Sequence, residues 1–234
     1  RRTGEWREGG GRMAAPLPGE AEALLEPWRA ALASTQARFG PEVYPGSPAV
    51  AQALTRRGDR LLLCEKHPQD ARALADAMAG DRRVKALEID GWTALKAYIP
   101  PKEKRGLALI DPPFEEAGEI DRMAEALVAA WGKWPGGVYA LWAPIKDRAQ
   151  TRRLGARVVA AGVKRALWTE VVVGPAEGAA PRGGGPPMIG TAMLVINPPF
   201  TLEAEARLLL PALAQRLRRA GDADAKIFSL AGEV

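Results

Sequence analysis

From Tyr44 onward the chain alternates short apolar runs with longer amphipathic stretches, and this alternation limits the available folds more than any other feature. The apolar runs fall at 60–64, 84–89, 107–110, 137–142, 163–173 and 189–196, with a weaker one at 226–230. Between most of them lie stretches of helical length with their apolar residues on one face, at 48–56, 68–78, 120–131, 148–161 and 202–219. Strand, helix and strand in repeated succession predict a parallel sheet covered by helices on both faces. The link from 173 to 189 breaks the pattern, since it is rich in Gly and Pro and has no helical stretch. A connection without a crossover helix favours an antiparallel pair. The expected fold class is therefore α/β, with a mostly parallel sheet and an antiparallel edge hairpin.

The first forty residues read differently. Gly9-Gly10-Gly11, Pro16 and Pro18 punctuate a start that leads into one helical stripe of Leu24, Leu25, Trp28 and Leu32, ended by Phe39-Gly40-Pro41. In the whole chain no apolar run approaches the roughly 20 residues that a membrane span needs, and the N-terminus lacks the apolar stretch of a signal peptide. A single cysteine, Cys64, excludes an intrachain disulfide. A reducing, cytoplasmic setting is the expectation. The 33 Lys and Arg against 28 Asp and Glu give a formal charge of +5, which suits a polyanionic partner without identifying one.

The sharpest local feature is the run from Leu107 to Phe114, an apolar strand that ends in Asp111-Pro112-Pro113-Phe114. Two consecutive prolines cannot donate to a sheet ladder, so the strand stops there with carbonyls left as acceptors. An adenine amine carries two N–H donors and a lone pair delocalised into the ring. Accepting both hydrogens, on the Asp111 carboxylate and the Pro112 carbonyl, favours a pyramidal nitrogen with a usable lone pair, while Phe114 stacks on the extruded base. Such chemistry needs positioning and electrostatics, with no metal and no covalent enzyme intermediate. Asp-Pro-Pro can also be simple punctuation of a strand end. A second copy of the pattern, Asn197-Pro198-Pro199-Phe200, follows the last hairpin strand, and the two cannot both be catalytic. Ligands of open parallel sheets lie at the carboxyl ends of central strands, which favours Asp111 and leaves Asn197 as a structural stop near an edge.

Two further strand ends carry acids. Glu65 follows the first run, where an acid commonly accepts ribose hydroxyls of a nucleoside cofactor, and Asp90-Gly91 follows the second, where Asp90 can take an adenine amine and Gly91 permits close backbone approach. Each is weak alone, because an acid at a strand end and an Asp-Gly turn are both common. The ordered series of acid, Asp-Gly and Asp-Pro-Pro-Phe carries the reading. Ser47-Pro48 is explained as a helix N-cap with proline at the first helical position. His67 is the only histidine, and no Ser/His/Asp or metal cluster can be assembled around it, so hydrolase and metalloenzyme readings fall away.

In the segments Arg2-Thr3-Gly4-Glu5, Tyr44-Pro45-Gly46-Ser47-Pro48, Glu65-Lys66-His67-Pro68, Asp90-Gly91, Asp111-Pro112-Pro113-Phe114, Tyr139-Ala140-Leu141-Trp142 and Ile196-Asn197-Pro198-Pro199 the chain resembles the bacterial ribosomal RNA adenine-N(6) methyltransferases of the RlmJ (YhiR) type. The resemblance implies a class I, Rossmann-like methyltransferase with a small helical insertion at 1–43 and a catalytic domain at 44–234. It implies S-adenosylmethionine as methyl donor, an adenine of 23S rRNA as acceptor, Asp111 as the catalytic acceptor, and Ser47, Glu65, Asp90 and Gly91 around the donor. Family members begin with a histidine-bearing segment, a first strand and a Gly-rich loop. None of these has a counterpart here, so the expectation is a missing N-terminal piece and open edges on the neighbouring strands. Phe114 stands where related enzymes often have Tyr. The competing expectations are methylation of a DNA adenine or a protein glutamine, and a non-catalytic RNA-binding module on the same fold.

Overall fold

The computed structural model describes residues 9–112, 118–175, 186–219 and 221–230. The chain divides into two compact units, Arg1–Ala97 and Tyr98–Val234.

The first unit opens with a short 3-10 turn, Gly10–Ala14, followed by α1 (Glu20–Phe39), α2 (Ser47–Leu54), β1 (Leu61–Glu65), α3 (Pro68–Ala77), β2 (Val84–Glu88) and α4 (Gly91–Tyr98). Helix α1 buries Leu25 from the predicted stripe and stops at Gly40, whose φ of 110° lies in the region that only glycine adopts freely. Arg29 fastens α1 to the preceding turn, donating to the Met13 carbonyl at 2.8 Å and the Ala15 carbonyl at 3.1 Å while pairing with Glu22. Strands β1 and β2 are parallel, with Leu61 opposite Val84 and Glu65 opposite Glu88.

Arg83 sets the direction of α2. Its guanidinium donates to the Thr55 carbonyl at 2.6 Å and the Gln52 carbonyl at 3.0 Å, and reaches Asp81 at 2.7 Å. The hydrogen bonds from Arg83 hold the Asp81 carboxyl well below the usual carboxylate range. The carbonyls left open at the end of α2 are thereby tied to the turn that opens β2. The end of helix α2 therefore lies beside the start of β2.

The second unit holds a five-stranded sheet in the order β3-β4-β6-β5-β7, built from β3 (Leu107–Ile110), β4 (Val138–Ile145), β5 (Ala166–Val172), β6 (Gly190–Ile196) and β7 (Asp224–Ser229). Strands β3, β4 and β5 run one way and β6 and β7 the other. The helix-free link does join an antiparallel pair, β5 with β6, as the sequence leads one to expect. Strand β6, however, inserts between β4 and β5, so Asn197 follows an interior strand and not one near an edge. Helices α5 (Glu119–Lys133), α6 (Arg148–Ala160) and α7 (Leu202–Leu217) cover the sheet. Met123, Leu127, Tyr139, Leu141, Ile145, Leu154 and Ile196 have no solvent exposure and form the centre of the core. The buried Tyr139 hydroxyl donates to the Ala130 carbonyl at 3.0 Å and the Trp134 carbonyl at 3.1 Å, closing the end of α5, and burial pushes its pKa up to about 12.

Several boundaries differ from the sequence expectation for physical reasons. Strand β4 runs on through Pro144 to Ile145, past its pairing with β3, which ends at Leu141. Beyond that point β4 has no partner on that side among the described residues, and proline is tolerated at such an edge. Helix α4 was not anticipated, being only eight residues that begin at a glycine. Among the described residues β1 pairs only with β2 and β3 only with β4. Leu62 on β1, and Leu107 and Leu109 on β3, remain 38%, 63% and 52% exposed.

Candidate active site

The site residues foreseen in the sequence fall into two groups, one on each unit. In the first unit the parallel register carries Glu65 to the end of β1 and Asp90 to the position two residues past the end of β2, so both acids stand at the carboxyl end of the two-stranded sheet. The Glu65 carboxylate accepts from the His67 amide at 2.9 Å through one oxygen. Asp90 accepts from the Thr93 amide at 3.0 Å and from its hydroxyl at 3.2 Å, which caps the first turn of α4. Gly91 follows as the first residue of α4 and is exposed.

Ser47 differs from its expected role. The N-cap position of α2 belongs to Gly46, whose carbonyl accepts from the Ala49 amide at 3.0 Å and the Val50 amide at 3.1 Å, and no side chain caps this end. Ser47 is the first helical residue, exposed, with Pro48 behind it. Proline supplies a φ already suited to the first turn, so the helix starts without a capping hydroxyl.

In the second unit Asp111 and Pro112 follow directly on β3. Among the described residues no donor reaches the Asp111 carboxylate or the Pro112 carbonyl. Burial pushes the Asp111 carboxyl up from the usual carboxylate range, and nothing offsets it. An exposed acceptor that no donor among the described residues reaches is suited to receive N–H groups from a ligand. Pro113 and Phe114 lie outside the described residues.

The second copy of the motif is separated from the first by strand direction. Strands β3 and β4 are parallel, whereas β6 is antiparallel to β4, so Asn197 emerges at the end of the sheet opposite Asp111. Its side chain is already used as a bracket, donating to the Pro135 carbonyl at 2.7 Å and the Gly137 carbonyl at 2.8 Å. Asp111 and Asn197 thus share a motif but not a site.

No group of three or more metal-ligating side chains occurs among the described residues, and no helix among them is long and apolar enough to cross a membrane. The family model for "Ribosomal RNA large subunit methyltransferase D, RlmJ" matches residues 1–227. The chain belongs to the RlmJ family. Among curated members it is 36% identical over 228 residues to the Ribosomal RNA large subunit methyltransferase J of Escherichia coli K12, covering 97% of this chain and 78% of that protein. With the protein of the same name from Haemophilus influenzae Rd it shares 35% identity over 219 residues, 92% of this chain and 74% of the relative. The fold matches the crystal structure of protein LPL1258 from Legionella pneumophila, with a TM-score of 0.80 and 28% identity over 98% of this chain and 82% of the other. An RlmJ-family chain is therefore the one that presents Asp111-Pro112 at a strand end.

Some contributors gave no usable signal in sequence. Arg83 was one arginine of a pair, and its role depends on three carbonyls and a carboxylate brought to it by α2 and the turn before β2. The Asp90 cap could have been read from Asp90-Gly91-Trp92-Thr93, in which Asp precedes a short helix.

Proposed function

We propose that this chain transfers a methyl group from S-adenosylmethionine to the exocyclic N(6) amine of an adenine in 23S rRNA. The observation that carries the proposal is the Asp111 carboxylate beside the Pro112 carbonyl at the end of β3, two acceptors that no donor among the described residues reaches, in a chain of the RlmJ family. The amine donates one hydrogen to each acceptor, its lone pair leaves conjugation with the ring, and the nitrogen becomes nucleophilic. A proline at 113 favours an extended Pro112, whose carbonyl is then available as an acceptor. Phe114 stacks on the extruded base and fixes its plane.

The donor set of the first unit fits the proposed cofactor. Glu65 and Asp90 are acceptors at adjacent strand ends, chemically matched to ribose hydroxyls and to an adenine amine, and exposed Gly91 lets a ligand approach the backbone. Ser47, the exposed first residue of α2, adds a hydroxyl to this donor set. When bound, S-adenosylmethionine supplies an electrophilic methyl group. Within this reading residues 1–43 form a helical insertion and 44–234 the catalytic domain.

The direct test is transfer of labelled methyl from S-adenosylmethionine to unmodified 23S rRNA, with DNA and protein acceptors in competition. Label appearing in N(6)-methyladenine of the RNA is the expected result; label only in DNA or in a protein glutamine, or in nothing, overturns the reading. Replacing Glu65 by Ala removes acceptors for two hydroxyl donors and is expected to raise the Kd for S-adenosylmethionine by about tenfold or more, since a hydrogen bond to a charged group contributes roughly 1.5–3 kcal/mol. Calorimetric titration checks this. An unchanged Kd would remove Glu65 from the cofactor site.

A further inference from the structure

The end of the sheet opposite Asp111 has features that the proposed chemistry does not use. There the registers place Leu107 beside Val138, and Ile196 beside both Tyr139 and Ala166, so the approach to β3, the start of β5 and the exit of β6 lie on one edge. The chain leaves β6 through Asn197, whose φ of 53° is in the left-handed region that Asn tolerates better than most residues. Its side chain is bolted to the Pro135 and Gly137 carbonyls, and its amide donates to the Arg165 carbonyl at 2.9 Å. Beneath this bracket the Trp134 ring lies against Gly137, where a Cβ would overlap it. Pro198 and Pro199 then fix two successive φ angles, the Arg165 guanidinium donates to the Pro198 carbonyl at 3.3 Å, and the Leu202 amide donates to the Pro199 carbonyl at 3.1 Å.

This tied arch holds Phe200 at 93% exposure, well above the 63% of Leu107, the next most exposed large apolar residue among the described ones. Single exposed apolar residues are ordinary on loops. Phe200 differs because its backbone is tied on both sides and exposed cations share its end of the sheet. Lys164 and Arg165 at the start of β5 are exposed, as are Lys102, Lys104 and Arg105 on the approach to β3. The carboxylates of the same region are Glu103 between the lysines and Glu203 and Glu205 in the first turn of α7, of which Glu203 is held by Arg207 at 2.6 Å.

We propose that this end of the sheet is a second RNA-binding surface, on which an unpaired base of the substrate stacks on Phe200 while its flanking phosphates lie against Lys164 and Arg165. The inference rests on the rRNA reading above and adds to it where the RNA is gripped away from the reacting base. Every base has a face that an aromatic ring can cover, a ring already held in place loses little freedom on binding, and the cations match a polyanion. A protein hot spot is depleted of lysine, whereas this end of the sheet exposes several. The surface lies roughly 15 Å along β3 from Asp111 at about 3.3 Å per residue, so it holds a different nucleotide from the one methylated.

The test compares the intact protein with F200A, F200W and K164Q, using protein-free 23S rRNA fragments and the assembled particle. F200A is expected to raise Kd and KM for free rRNA about tenfold, within the range for loss of one base stack, with kcat, cofactor affinity and thermal unfolding held. F200W is expected to restore both constants, and K164Q to lower the slope of log affinity against log salt by about one. Parent-like rRNA constants for F200A in an active enzyme overturn this inference and leave the proposed function standing. A parent that neither binds nor methylates rRNA overturns both. A defect of F200A on the particle but not on free RNA overturns the base-stacking proposal in favour of a protein partner.

Discussion

Replacing Asp111 by Ala is expected to cut methyl transfer to rRNA by about a thousandfold, the upper range for losing one group that stabilises a transition state. Single-turnover rates at saturating RNA and donor measure it, and donor affinity is expected to hold because Asp111 lies outside the Glu65 and Asp90 group. A variant that keeps most of its rate would remove Asp111 from the chemistry. The raised Asp111 pKa gives two further consequences. The reactive form is the carboxylate, so kcat is expected to fall as pH drops through a value above the ordinary Asp range. A carboxyl whose folded pKa is raised stabilises the fold fully only below its unfolded pKa and loses that contribution as pH rises through the folded value. Asp111→Asn is therefore expected to unfold at the same or a slightly higher temperature than the parent at pH 7, a difference that vanishes in acid.

The largest stability effect is expected at Glu170, a carboxylate only 1% exposed in the middle of β5. Arg152 donates to it twice, at 2.6 and 3.0 Å, the Trp168 indole donates at 2.9 Å, and the Arg148 guanidinium stands 3.6 Å away while also reaching Asp224 on β7 at 2.9 Å. Glu170 thus joins α6, β5 and β7. Desolvation pulls its pKa up, but the hydrogen bonds from Arg152 and Trp168 and the arginine charges outweigh it, and the net shift is downward. Glu170→Ala leaves the indole N–H and two guanidinium groups without their shared acceptor. Breaking a buried pair costs about 3–5 kcal/mol, and the lower figure applies because both arginines reach solvent. The melting temperature is expected to fall by about 10 °C. Because the folded pKa is depressed, the stabilisation is present above the unfolded pKa and lost as pH falls through the folded one. Parent and variant should accordingly converge in strong acid. Equal melting temperatures at pH 7 would show that the network contributes no net stability.

The motif itself was legible because it is written in consecutive residues. Asp111-Pro112 stops a strand by the covalent nature of proline, whatever surrounds it, and the hydrophobic periods marked all seven strands to within a few residues. Distinguishing Asp111 from Asn197 was possible in sequence only by a rule about strand position. In the structure β6 is interior, and it is its direction that sends Asn197 to the end of the sheet opposite Asp111.

Sequence alone determined the alternation of elements, the stop at Pro112, the antiparallel pairing across the helix-free link and the family to which the chain belongs, because each depends on local pattern or residue identity. Tertiary structure decided what depends on residues distant in the chain: the insertion of β6 between β4 and β5, the exchange of carbonyls and carboxylate at Arg83, the burial of Glu170 among its arginines and the exposure of Phe200 on its arch. Hydrogen bonds between elements and the exclusion of water arise only once the elements are packed, and no local period encodes them.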